Sequence, residues 1–201
     1  MKFTFVTLFP NLIEPYFYDS ILKRAIEANF ISYEFYNPRD FTTNKHKKVD
    51  DQMVGGGAGM LLSCQPLFDC LDEIKSKNQD AYIIFPLAAA KPFKQNDAKR
   101  LAKKKNIVFV SGRYEGIDER VIEKYANEVF SIGEYILTGG ELASTVMADA
   151  ISRNIENVLG NADSLEVESY ENNLLEAPSF TKPENYQNLS VIKEYLKGNH
   201  I

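Results

Sequence analysis

The chain has 201 residues, enough for one large domain or two small ones, and its 44% hydrophobic and 25% charged content excludes general disorder. No apolar run reaches about 18 residues and no charged-then-apolar leader opens the chain, which excludes a membrane span and a signal peptide and points to the cytoplasm. A net charge of −5 argues, as a bare total, against a nucleic-acid partner.

In chain order, Met1–Leu8 alternates Phe3 and Phe5 with small residues and stops at Pro10, the pattern of a strand. Asn11 to Glu27 places Ile13, Phe17, Ile21, Leu22 and Ile26 at helical spacing, with Lys23 and Arg24 outward. Ile31–Tyr36 reads as a second strand, closed by Asn37-Pro38. Asn37 to Met60 is polar and glycine-rich with no periodicity, and a loop of that length in a compact domain is usually functional. Helices are then expected at Gln65–Lys77, Asn96–Lys105, Asp118–Tyr125 and Leu142–Arg153, and strands at Ala81–Pro86, Ile107–Ser111 and Glu128–Ile132. A short helix over Ser190–Lys197 ends the chain. Strands alternating with helices over some 150 residues define an α/β fold with a largely parallel sheet.

The charge is unevenly spread. Between Asn154 and Thr181 lie six acids (Glu156, Asp163, Glu166, Glu168, Glu171, Glu176) and no Lys or Arg, so the remainder of the chain is close to neutral. Basic residues gather at Lys45–Lys48 around His46, and at Lys99–Lys105, where five of seven are Lys or Arg. Such runs are commonly solvated faces, yet a near-neutral body with basic spots is compatible with a polyanionic partner. Cys64 and Cys70 have no companions to complete a metal set and read as small hydrophobes in a reducing compartment. With His46 and His200 the only histidines, proton transfer falls to carboxylates, Lys or Tyr, and no metal-binding residues are expected.

Gly55-Gly56-Gly57-Ala58-Gly59 contains G-x-G-x-G, but the polar Val49–Val54 stretch before it is no buried strand, so a dinucleotide turn is not indicated. A flexible lid, or backbone brought close to a ligand, fits four glycines in five better. No G-x-x-x-x-G-K-[ST] exists, which excludes a P-loop. Ser111-Gly112-Arg113-Tyr114-Glu115-Gly116 follows a predicted strand, and Ile132-Gly133-Glu134-Tyr135-Ile136-Leu137-Thr138-Gly139-Gly140-Glu141-Leu142 follows the next. Each alone reads better as an ordinary turn; two at successive strand ends bring a shared pocket level with that reading, since ligands of parallel sheets bind at strand carboxyl ends.

Together with Asn37-Pro38-Arg39-Asp40-Phe41-Thr42 and the Val49–Met60 glycine loop, these segments make the chain closely similar, from Met1 to about His200, to the bacterial tRNA (guanine-N1)-methyltransferases. That family, TrmD, belongs to the knotted SPOUT class of methyltransferases. The resemblance implies a parallel-sheet SPOUT fold with a deep trefoil knot, followed by a linker and a short, truncated C-terminal helical segment. The implied divisions are a knotted catalytic domain over 1–160, a linker or lid over 161–176, and the remnant of a tRNA-binding domain over 177–201. It implies S-adenosylmethionine as methyl donor, with Mg²⁺ a candidate accessory ion in the step. The partners implied are tRNA and a second copy of the chain, in a homodimer with active sites at the interface.

Carried over by motif, the donor is expected against Phe85, Pro86, Leu87, Gly112, Glu115, Ile132, Gly133, Glu134, Tyr135, Ile136, Leu137, Gly139 and Gly140. The acceptor implied is N1 of the guanosine immediately 3′ of the anticodon, position 37. Glu168, in a Glu168-Ser169-Tyr170 motif where the family has Asp-Ser-Phe, is the implied general base, and Arg153 the implied oxyanion partner. Ser164, Ser169, Gly57, Gly59 and Lys48 are the candidate substrate contacts, with Lys45, Lys47 and Lys103 to Lys105 as further phosphate contacts. Three departures stand out: Leu87-Ala88-Ala89-Ala90 replaces Ser-Pro-Gln-Gly, Glu134 replaces Asp, and Ala143 replaces Pro. Two other readings are a non-catalytic RNA-binding protein of the same fold and a knotted methyltransferase for another RNA base.

Overall fold

The structure is a computed structural model that describes residues 1–160, 169–170 and 177–196. The chain divides into two compact units, Met1–Ala162 and Asp163–Ile201. In the first unit the chain runs β1 (Lys2–Val6), α1 (Ser20–Glu27), β2 (Ser32–Tyr36), β3 (Asp50–Asp51), β4 (Leu61–Leu62), α2 (Cys64–Lys77), β5 (Tyr82–Pro86), α3 (Gln95–Leu101), β6 (Asn106–Val110), α4 (Glu119–Tyr125), β7 (Glu128–Phe130) and α5 (Glu141–Ser152). Five strands form one sheet in the order β2-β1-β6-β5-β7, every neighbouring pair parallel.

Apolar residues on consecutive positions make these strands two-sided. In β6, Ile107 and Phe109 enter a core with Phe3, Phe5, Ile84 and Phe130, and that core is covered by α1, α3 and α5. Val108 and Val110 enter the opposite core with Val6, Ile83 and Phe85, covered by α2 and α4. The phenyl rings of Phe3, Phe5 and Phe109 lie at 5.6–6.4 Å between centroids. Each such fully buried ring contributes about 1.5–3 kcal/mol, so the paired cores hold the sheet and leave its strand ends free to carry loops.

The single helix expected over Asn11–Glu27 is divided. Pro15 has no amide hydrogen to continue a helix, and the chain instead makes 3₁₀ turns at Pro10–Leu12 and Glu14–Phe17, each with proline in its first turn. Ser20 at φ +56 then resets the register, and Asp19 accepts the Ser20 amide at 2.7 Å. Ile13, Phe17, Leu22 and Ala25 are consequently buried, whereas Ile21 faces solvent. The basic helix also stops earlier than expected, at Leu101, because the chain turns back through Lys103–Lys104 so that the Lys105 carbonyl can accept the Lys2 amide. The glycine loop is a pinned hairpin: Asp50 and Asp51 pair antiparallel with Leu62 and Leu61, and buried Val49 anchors its base.

In the second unit, β8 (Asn185–Tyr186) and β9 (Leu189–Ser190) form an antiparallel hairpin whose turn residues Gln187 and Asn188 both have positive φ, as a two-residue turn of matching twist requires. Ser190 therefore belongs to a strand, and the expected terminal helix is reduced to α6 (Lys193–Leu196). Phe180 meets Tyr195 edge-on at 5.3 Å.

Candidate functional site

Three neighbouring strand ends create a recess. β5 closes on Pro86, and the chain leaves through Leu87, whose amide donates to Phe130 O at 2.8 Å. β6 runs into Ser111-Gly112, and β7 into Ser131-Ile132-Gly133. From β5 the chain crosses by α3 toward the β1 side to enter β6, and from β6 it crosses by α4 the other way, past β5 to β7; a crevice opens where such connections diverge.

The segment after β7 folds over this crevice and turns into α5 at Gly140. There the Gly140 amide donates to Gly112 O at 2.9 Å, and a Cβ on Gly140 would sit 2.9 Å from Gly112 N and from Ser111 Cα. Ser111 Oγ lies 3.0 Å from Ser144 Oγ, a buried tie between the same two segments. A Cβ on Gly133 would collide with the Tyr135 ring, whose hydroxyl donates to Ile132 O at 3.2 Å. These glycines let two stretches of main chain approach closely, and the result is a cavity of about 450 Å³ walled by backbone, aliphatic side chains and tyrosine rings.

Every residue expected to meet the donor lines this cavity except Phe85 and Glu134. Phe85 is fully buried in the core beneath it, a consequence of strand alternation, and Glu134 is exposed. Arg113, Tyr114 and Gly116 of the Ser111–Gly116 segment join the lining, as do Ala88, Ile117, Phe130, Ser131 and Ala143, which no expectation named. Tyr114 takes φ +59, an uncommon backbone for a bulky residue, held in place by the two amides that follow it: Glu115 N donates to Met60 O and Gly116 N to Arg113 O.

Of the expected substrate contacts, Gly59 packs so closely on the Glu115 side chain that no Cβ would fit, which sets the glycine hairpin against one cavity wall. Gly57 is on the exposed tip of that hairpin. Lys48 lies at its base, 3.6 Å from Asp51, whose carboxyl is held below the usual range by the Gln52 amide and by Lys48. Arg39, Lys45 and Lys47 extend the same basic face; Arg39 Nη1 donates to Lys47 O at 3.1 Å. Arg153 caps the C-terminal end of α5 and is exposed. Ser169 belongs to the second unit and is half-buried, while Glu168 and Ser164 lie outside the described residues.

Two further polar residues, Glu141 and Thr7, were not foreseen, and both bear on Arg113. Glu141, only 2% exposed, accepts the Thr7 hydroxyl at 2.7 Å, and Arg113 Nε stands 2.9 Å from its other oxygen. Arg113 Nη1 also donates to Thr138 O at 3.2 Å, and its guanidinium lies 4.6 Å over the Phe9 ring. Among the described residues no group of three or more His, Cys, Asp or Glu could hold a metal ion, and no helix is long and apolar enough to cross a membrane. Both thiols are free, and burial pushes the Cys70 thiol up to about 12.

A glycine-walled cavity over the carboxyl ends of adjacent parallel strands defines an α/β protein with its cavity where that class of sheet binds small ligands. Comparison with known proteins makes the assignment particular. The family model described as tRNA (Guanine-1)-methyltransferase TrmD matches residues 1–201, and the chain belongs to that family. It is 68% identical over 200 residues to the tRNA (guanine-N(1)-)-methyltransferase of Sulfurimonas denitrificans, covering 100% of this chain and 87% of the relative. The correspondingly named proteins of a Sulfurovum species and of Campylobacter curvus are 68% and 62% identical, again over 100% of this chain and over 88% and 85% of theirs.

Proposed function

We infer that this chain methylates guanine N1 in tRNA, using S-adenosylmethionine, at the guanosine immediately 3′ of the anticodon. The observation that carries the reading is 68% identity over 200 residues to curated enzymes of that name, covering 87–88% of their length. The cavity fits the donor: aliphatic Leu87, Ile132, Ile136 and Leu137 suit the adenosine faces, and the Gly112, Gly133 and Gly139-Gly140 main chain suits its polar edges. When bound, the donor supplies an electrophilic methyl on a sulfonium.

The chain's own residues have three tasks. A carboxylate must take the N1 proton, because neutral guanine is a poor nucleophile there; Glu168 is assigned that role on its Glu168-Ser169-Tyr170 motif. As the proton leaves, charge builds on O6, and the guanidinium of Arg153 is the group assigned to meet it. The basic face of Arg39, Lys45, Lys47 and Lys48 takes phosphates, and the guanosine leaves its stack to reach the carboxylate. Ser164, Ser169, Gly57 and Gly59 are the proposed contacts around it. Mg²⁺ belongs to this reading as an accessory ion only, since that ion needs no more than one or two protein carboxylates beside its waters and the substrate.

The deep trefoil knot belongs to the same reading, supported by the close main-chain passage of Gly140 across Ser111-Gly112. So does a homodimer: Leu12, Tyr16, Leu142 and Val146 are exposed, and the Tyr16–Asp149 hydrogen bond of 2.8 Å sets the 3₁₀ segment beside the same outward face of α5. A cytoplasmic location goes with a tRNA substrate. Methyl transfer to tRNA transcripts differing only at the base after the anticodon tests the function, and sedimentation of the same preparation tests the dimer. Glu168→Gln should cut turnover by about 10²-fold or more with donor affinity unchanged. Equal labelling of transcripts lacking that guanosine would overturn the acceptor assignment.

A further inference from the structure

Glu141 is a fully desolvated carboxylate that no step above uses. Its oxygens are divided between two distant parts of the chain: Thr7 Oγ1 donates to Oε1 at 2.7 Å from the end of β1, and Arg113 Nε faces Oε2 at 2.9 Å from the turn after β6. A buried charge is retained only when it is paired, and here the pairing spans the two cavity walls. Arg113 follows Gly112 on one wall. Through Nη1 it also holds the Thr138 carbonyl on the other, one residue before Gly139. Gly139 has no room for a side chain because the pair passes beside it: a Cβ there would lie 2.5 Å from Arg113 Nε and 2.7 Å from Glu141 Oε2.

We propose that Glu141 is a positioning residue for donor binding, clamping the Thr138–Gly140 wall to the Gly112–Arg113 wall through Arg113 and Thr7. The clamp preforms the cavity, so the ordering of two loops is complete before a ligand arrives and does not weaken its affinity. The fixed polar atoms on both walls then keep their spacing, which is set by side chains that never touch the donor. This rests on the reading of the cavity as the donor site.

The test is calorimetric titration of S-adenosylhomocysteine into the wild-type chain, Glu141→Gln, Thr7→Val, and Ile74→Ala as a core control remote from the cavity, each with its unliganded Tm. Glutamine keeps the shape and can still accept from Thr7, but it removes the charge that holds Arg113. Glu141→Gln should raise Kd on the order of tenfold, and Thr7→Val should do so by a smaller factor. Ile74→Ala, despite a comparable fall in Tm, should leave Kd within about twofold, a separation that a merely structural role would not produce. Amide exchange at Gly140 should accelerate in Glu141→Gln before that of the sheet. An unchanged Kd in both site variants, or an equal rise in the control, overturns the proposal while leaving the donor reading intact. Failure of the wild-type chain to bind overturns the donor reading and the proposal with it.

Discussion

Gly140→Ala examines the site where it is most tightly built. The added Cβ would stand 2.9 Å from Gly112 N and Ser111 Cα, against ordinary contacts of 3.4–4 Å, and both obstacles are backbone that cannot rotate away. The two segments must part by at least about 0.5 Å, which stretches the Gly140 N–Gly112 O bond from 2.9 Å to beyond good geometry. Overpacking costs about 1–3 kcal/mol and the weakened hydrogen bond about 1 kcal/mol, so a total near 2–4 kcal/mol is expected. For a domain of this size each kcal/mol lowers Tm by about 2–4 °C, which gives a fall of roughly 5–15 °C. Because the strain falls on the cavity walls, affinity for S-adenosylhomocysteine should drop as well. The matched comparison is Gly116→Ala, which lines the same cavity but meets only the Leu61 side chain at 3.7 Å, although its φ of +137 carries a backbone cost. Thermal melts and calorimetry on both variants decide the matter. A Gly140→Ala protein with wild-type Tm and donor affinity would show that the two walls are free to separate, and the account of the cavity would be wrong.

Two other predictions concern charge. Burial would raise the Glu128 carboxyl, but Arg100, Lys91 and the Tyr82 hydroxyl donate to it and hold it near 2. A carboxyl depressed on folding from about 4.3 adds stability that is complete above that value and lost as pH falls toward 2; Glu128→Gln should therefore lower Tm at pH 6 and flatten its decline below pH 4.5, as melts across that range would reveal. Replacing Lys45, Lys47 and Lys48 by Ala should weaken tRNA binding and reduce the dependence of log K on log salt by about 0.7–0.9 for each phosphate that is no longer neutralised; an unchanged slope would mark that face as a mere solvated surface.

Much of the sheet was legible because buried parallel strands write themselves as short runs such as Ile107–Val110, which no surface segment imitates. The divided first helix was less so. Its apolar spacing persists through Pro15, and the left-handed turn at Ser20, which sends Ile21 outward, has no glycine or asparagine to announce it. Strand-end glycines pointed to the cavity because close main-chain approach has few substitutes. The Thr7–Glu141 hydrogen bond had no signature, being a contact between residues 134 apart that only the crossing of segments brings together. Alternation explains Phe85: it adjoins Pro86 in sequence yet points into the opposite layer.

The Leu87–Ala90 turn is built on a different plan from the rest of the cavity. At Gly139 and Gly140 the walls are fixed by atoms that tolerate no added carbon, whereas Ala88 and Ala89 are exposed. Selectivity among ligands is therefore adjustable on one side only. A compound fitted to the glycine side would meet the same shape wherever those glycines recur, and one extended over Ala88 would tell this enzyme from relatives carrying bulkier or polar residues in that turn.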